Sequence, residues 1–152
     1  MDEAKKLAME ILRMIEKFSP VWYLDSTGKK TIGYGETCYG GDSITEEEAS
    51  RLLEYRVDGV LAHVRKQVTV ELLPCQEAAL TSFTYQEGRS AFSGSTLLKE
   101  INLGRLAYAV REFGKWIYVH RKGIPVIEPG IVRRREREVQ MFLGDETWRR
   151  AW

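Results

Sequence analysis

Histidine and cysteine are both scarce in this chain, with two of each among 152 residues. His63 and His120 are too few for a histidine-rich metal centre, and they argue against any mechanism built on a histidine triad. Cys38 and Cys75 stand apart with no CxxC spacing, so they form no metal site by themselves. With no export signal to suggest an oxidising compartment, two free thiols are the expected state rather than a disulfide. No run of about 18 apolar residues occurs, so no segment reads as a membrane span. The N-terminus, MDEAKKLAMEILRMIEKF, is charged throughout and lacks the apolar stretch of a secretory signal. Internal repeats and low-complexity linkers are missing too.

What remains is an ordinary globular composition, 43% hydrophobic, 30% charged and 11% aromatic, in a length that suits one domain. The net charge of +1 hides an asymmetry. Residues 1–60 carry 12 acids and 8 bases, whereas residues 61–152 carry 10 acids and 15 bases. A basic C-terminal part suits a negatively charged partner, and both an anionic cell-wall polymer and nucleic acid qualify. Solvated helix faces produce the same count.

Apolar residues Leu7, Ile11, Met14, Ile15 and Phe18 recur at helical spacing, which predicts an amphipathic helix over residues 2–17, stopped by Ser19-Pro20. Residues 21–24 and 31–34 read as two strands around a turn at Gly28, with a loop and a short third strand over residues 38–44. Thr45-Glu46-Glu47-Glu48 is a capping box that opens a long helix to about Lys66. From Pro74 onward the pattern reads as all-helical. Helices are expected from Pro74 to Tyr85, from Ser95 to Ile101, from Arg105 to Val119 and from Ile131 to Leu143, with a loop between the last two. The expected class is α+β, a small antiparallel sheet early and a mainly helical remainder.

Two carboxylates and a hydroxyl stand out where the first helix meets the hairpin. Glu16 ends the helix, Asp25 follows the first strand, and Thr31 begins the second. Glycosidic hydrolysis needs a protonated acid on the leaving oxygen and a second carboxylate that activates water across the sugar. Glu16, with Ile15 and Phe18 beside it, is expected to be desolvated and to serve as the acid. Asp25, in a polar turn, is expected to stay ionised and orient water with Thr31. Spacing alone favours the plainer alternative, a solvated helix residue and an ordinary turn residue.

The wider pattern is more specific. Glu16, Asp25 and Thr31 have the spacing, without gaps, of the Glu-Asp-Thr set of the phage-type lysozymes, glycoside hydrolase family 24. YLDSTGKKTIGYG resembles that family's signature around its second acid. ITEEEASRLL, ALTSFTYQEG, AFSGSTLLKEIN, EFGKWIY and PGIVRRREREV resemble its later motifs, in order, across nearly the whole chain. The resemblance implies a two-lobed lysozyme-like fold: a sheet lobe over about residues 18–44, an inter-lobe helix over about 45–66, and a helical lobe over about 67–152 that includes the helix at 2–17. It implies a muramidase that cuts the β-1,4 bond between N-acetylmuramic acid and N-acetylglucosamine with inversion. Glu16 would then be the general acid, and Asp25 and Thr31 would orient the water.

Thr37, Tyr85 and Gln86 fall where the family lines its sugar cleft, although core packing is the plainer role for Tyr85. The resemblance further implies no metal and no cofactor, and bacterial peptidoglycan as the partner of a monomer that neither binds nucleic acid nor inserts in a membrane. Such an endolysin would wait in the host cytoplasm for holin-dependent release.

Two departures bear on this reading. Glu36 replaces the histidine that the family usually carries, and a third carboxylate there could perturb Glu16 or find a basic partner. The stretch from Tyr118 to Pro129 is longer than usual. Glu36 is also the local reason to weigh an alternative, a catalytically lapsed lysozyme-fold domain that only binds peptidoglycan. The arginines at 133, 134, 135 and 137 invite a nucleic-acid reading, but Glu136 and Glu138 are interleaved among them, and a solvated face is the default expectation. Trp148 and Trp152 are expected to pack on the helical lobe.

Overall fold

A computed structural model describes residues 1–150. Helix α1 spans Glu3–Glu16, and Asp2 caps it by accepting from the Lys5 amide at 2.8 Å. Its inner face carries Ala4, Ala8, Met9, Ile11 and Leu12, while Leu7, Met14 and Ile15 flank that face, half-buried. The small alanines let α1 lie close to its neighbours, so the buried stripe is rotated slightly from the one read off the larger side chains.

Strands β1, Ser19–Leu24, and β2, Lys30–Gly33, pair antiparallel with an irregularity between Ser19 and Tyr23. Gly28 supplies the left-handed turn residue between them at φ +82°. The third strand expected over residues 38–44 does not form. Only an isolated bridge, Val21 to Ser43, marks its place among the described residues.

Helix α2, Glu46–Gln67, is 22 residues long, roughly 33 Å by its rise per residue. Thr45 caps it by accepting from the Glu48 amide at 3.1 Å. The Glu48 carboxylate pairs with Arg51 on the outer face, so only this half of the expected capping box is made. Helix α3, Pro74–Glu87, is the centre of the molecule, with every residue from Ala78 to Tyr85 buried. It packs against α1, α2 and the last helix, and Gly88 ends it at φ +99°. Around Phe83 the rings of Phe92, Phe113 and Trp116 stand edge-on, with centroids 5.4–6.4 Å away.

Short helices α4, Arg89–Ser93, and α5, Thr96–Asn102, follow; Ser95 caps α5 as expected by accepting from the Leu98 amide. Helix α6, Leu106–Phe113, is half the expected length, because Gly114 ends it. The segment beyond is a second hairpin, which corrects the all-helical reading of this part. Strands β3, Tyr118–Arg121, and β4, Ile124–Ile127, pair antiparallel through Lys122 and Gly123, both left-handed at φ +53° and +76°. Two such residues make the turn whose twist matches a tight hairpin. Pro125 is tolerated because the ribbon has only two strands.

Helix α7, Pro129–Phe142, and a 3-10 turn at Glu146–Arg149 complete the described chain. Trp148 is buried as expected, and Trp152 lies outside the described residues. The basic run on α7 is not a solvated face. Arg134, Arg135 and Arg137 are buried, and Glu138 is fully so. Cys38 and Cys75 are both free thiols. Among the described residues, no helix is long and apolar enough to cross a membrane.

Candidate active site

Glu16 is the last residue of α1, and the chain leaves it through Lys17, a non-glycine residue at φ +54°. This abrupt exit ends the helix at the point where it meets the turn after β2. Gly35 sits there at φ +83°, so close that a Cβ on it would stand 2.8 Å from Glu16 Oε2. From the other side Arg134 of α7 donates to Glu16 Oε1 at 2.8 Å. A guanidinium and a bare glycine backbone therefore frame Glu16, where the sequence suggested an apolar wall of Ile15 and Phe18.

Arg134 is itself buried, with Nε 3.3 Å from Glu138 Oε2 and Nη2 donating to the Ser82 carbonyl at 3.0 Å. Burial opposes its charge, but Glu16 and Glu138 outweigh that and hold its pKa above the usual guanidinium value. Arg135 extends the network beneath the cleft. It donates to Glu138 at 2.5 Å, to Gln86 at 2.5 Å and to Glu87 at 2.7 Å. Ser82 donates to Glu138 at 2.5 Å, so this buried carboxylate is shared by two guanidinium groups and a hydroxyl.

Asp25 opens the turn between β1 and β2. Its Oδ1 accepts from the Thr27 amide at 2.9 Å, the Thr27 hydroxyl at 2.7 Å and the Lys29 amide at 2.8 Å. Burial works against the carboxylate, yet these hydrogen bonds prevail and hold the Asp25 pKa below its ordinary value. Three donors fall on one oxygen, and Oδ2 is left to the cleft. Thr31, nearly buried on β2, donates its hydroxyl to the Lys29 carbonyl at 2.9 Å, which leaves its oxygen free to accept. Burial raises the Tyr23 pKa, and the negative charges of Glu16 and Asp25 raise it further.

One cleft of about 520 Å³ is lined by Glu16, Asp25, Thr31, Thr37, Tyr85 and Gln86, all six residues singled out from the sequence. Thr37 and Gln86 are exposed on its rim. Tyr85 is 8% exposed and serves packing as well as lining, its hydroxyl donating to the Tyr34 carbonyl at 2.9 Å. Burial raises the Tyr85 pKa well beyond its ordinary range, with Arg56 opposing and Glu16 and Glu36 adding to the rise.

Glu36 has found a basic partner, because Arg56 of α2 donates to it at 3.0 Å. Arg56 also donates to the Gly35 carbonyl at 3.2 Å and to the Tyr85 hydroxyl at 2.5 Å, and it stacks on the Tyr85 ring at 4.0 Å. Sequence reasoning missed Arg56 and Arg134 as site residues. A signal existed for Arg134: Ile131, Arg134, Glu138 and Met141 share one helical face, and a charged pair four residues apart between apolar neighbours marks an inward-facing ion pair. Nothing local marks Arg56, whose partners come from two distant segments. No group of three or more His, Cys, Asp or Glu side chains that could hold a metal occurs among the described residues.

The sequence matches the phage lysozyme family over residues 13–138. It is 36% identical over 122 residues to the endolysin of Acyrthosiphon pisum secondary endosymbiont phage 1, covering 79% of this chain and 84% of that one. It is 39% identical over 122 residues to the endolysin of Bacillus phage B103, covering 77% of this chain but 44% of that longer protein. In structure it is similar to an endolysin from Escherichia coli O157:H7 phage FAHEc1, with a TM-score of 0.84 and 30% identity over 91% of each chain. The order of elements, the early antiparallel hairpin, the long α2 and the helical remainder are those of the lysozyme-like α+β fold. The chain therefore belongs to the phage lysozyme family of glycoside hydrolases.

Proposed function

We propose that this protein is a muramidase that hydrolyses the β-1,4 bond between N-acetylmuramic acid and N-acetylglucosamine, with inversion at the anomeric carbon. The observation that carries this reading is the meeting of Glu16, Asp25 and Thr31 in one cleft. Glu16 is the general acid. Arg134 holds Oε1, so the proton is delivered from Oε2, the oxygen beside Gly35. Asp25 Oδ2 and Thr31 Oγ1 both accept from the attacking water. Its two protons are thereby directed away from the sugar, and its lone pair faces the anomeric carbon. As the bond breaks, the leaving oxygen takes the Glu16 proton and Asp25 takes one from the water.

Thr37, Tyr85 and Gln86 bind the sugars. The sheet segment of residues 18–44 and the helical remainder act as two lobes joined by the helix over 45–66, with the cleft between them. Bacterial peptidoglycan is the substrate, no cofactor takes part, and the protein works as a monomer. As an endolysin it accumulates in the host cytoplasm until a holin admits it to the wall. The arginine run gives no support to nucleic-acid binding, since Arg134 and Arg135 are buried and engaged with carboxylates.

The test is release of reducing ends from purified peptidoglycan, with wild type beside Glu16→Gln, from pH 5 to 8. Wild type is expected to release them. Glu16→Gln is expected to lose activity by at least about 100-fold while keeping its fold, the scale of removing a positioned acid. Binding without release by the wild type would instead support the lapsed, binding-only reading, and a Glu16→Gln rate equal to wild type would remove Glu16 from its role.

A further inference from the structure

A second pocket, about 630 Å³, lies between α2 and the end of α3. Arg56 and Tyr85 line both this pocket and the catalytic cleft, so the two spaces adjoin at that stacked pair. Four features distinguish its walls. Arg89 makes no ion pair or side-chain hydrogen bond of its guanidinium among the described residues. That guanidinium lies against the bare backbone of Gly59, where a Cβ would stand 2.6 Å from Nη2. Thr84, 1% exposed on the pocket's inner side, has a hydroxyl with no protein partner. Tyr55 stands over the mouth, 79% exposed.

An unpaired cation seated in a space made for it, in a pocket that Tyr55 also lines, suits an anionic group on a carbon chain. On the wall polymer that chemistry has one location. Where a stem is attached, the lactyl carboxyl of muramic acid is tied up as an amide, so the free carboxylates of that unit sit on the short peptide. We propose that the pocket bounded by Tyr55, Gly59, Thr84 and Arg89 is a carboxylate subsite that receives the peptide stem of the glycan strand held in the cleft. Arg89 binds the carboxylate, and Tyr55 covers the peptide's apolar carbons. The proposal rests on the muramidase reading and extends it from the bond that is cut to the group that is recognised beside it.

The test measures binding of two wall fragments to the Glu16→Gln protein, which would hold them uncut. One is a tetrasaccharide with its peptide stems, and the other is the same tetrasaccharide with the stems removed and the lactyl carboxyls capped as simple amides. The stem-bearing fragment is expected to bind about tenfold more tightly, the scale of a charged hydrogen bond made near the surface. Arg89→Gln is expected to bring that ratio to about one, and Arg89→Lys to restore part of it. Gly59→Ala, which displaces the guanidinium, is expected to lower the ratio with Arg89 still present. Equal binding of the two fragments, or a ratio that survives Arg89→Gln, overturns the subsite. Release of reducing ends by the wild type then shows that the muramidase reading stands without it. If the wild type releases none and neither fragment binds, both fall.

Discussion

Arg56 donates to the Glu36 carboxylate at 3.0 Å and thereby joins the turn after β2 to the long helix α2. The same guanidinium reaches Gly35 and Tyr85, so one side chain ties three segments together at the edge of the cleft. The pairing gives the carboxylate at position 36 a physical reason. Its partner is a cation, so a carboxylate is the complementary choice. Glu36→His is therefore expected to destabilise the protein by about 1–2 kcal/mol, as loss of a charge-assisted hydrogen bond. The exchange Glu36→Arg with Arg56→Glu should recover part of the loss. Denaturant midpoints of the three proteins would decide it, and a single Glu36→His variant as stable as wild type would refute the pairing argument.

Gly35 has to be glycine for two reasons. It is left-handed at φ +83°, and a Cβ would enter the space of Glu16 Oε2. Gly35→Ala is expected to cost about 1–2 kcal/mol from the backbone alone. It should lower activity by about 10- to 100-fold, because a displaced acid no longer meets its geometry. Parallel measurement of reducing-end release and thermal unfolding separates the two effects. Activity should fall further than stability accounts for.

Asp25 is held ionised, against its burial, by Thr27 and Lys29. A lowered folded-state pKa means that its contribution to stability is present above the unfolded value. It is lost as pH falls through the folded value, below the ordinary 3.8 of the group. Thr27→Val removes the hydroxyl donor. Its expected effect is a rise in the Asp25 pKa, with the acid limb of the rate profile moving to higher pH. A pH–rate profile and carboxyl NMR titration would measure the shift, and an unmoved acid limb would mean that Asp25 does not govern it.

Glu138 is fully buried between Arg134 and Arg135. Neutralising it in Glu138→Gln leaves two buried guanidinium groups short of their shared countercharge. A loss of about 3–5 kcal/mol is expected. Activity at low temperature should fall as well, because Arg134 also holds Glu16. Calorimetric unfolding at neutral pH checks the magnitude, and a change below about 1 kcal/mol would place the network outside the core's stability.

The first hairpin, α2 with its Thr45 cap, α3 from Pro74 to its Gly88 end and α5 with its Ser95 cap were all legible in the chain. They depend on short-range rules, namely apolar period, capping residues and turn glycines. That Glu16, Asp25 and Thr31 would line one cleft was legible because three residues close in sequence sit on adjoining elements. The second hairpin was hidden, since its turn uses Lys122-Gly123 and its second strand carries Pro125, which locally argues for a loop. The inward arginines of α7 were hidden for a different reason. Charge composition favours solvent, and the carboxylates of Glu16, Glu87 and Glu138 are what make burial of Arg134 and Arg135 tolerable. Two of those three come from other helices. The sequence alone thus determined most of the local elements, those set by short-range rules, and which side chains could do chemistry. Which charges meet was decided by tertiary packing, because a salt bridge between Arg134 and Glu16 joins positions far apart in the chain and leaves no local pattern.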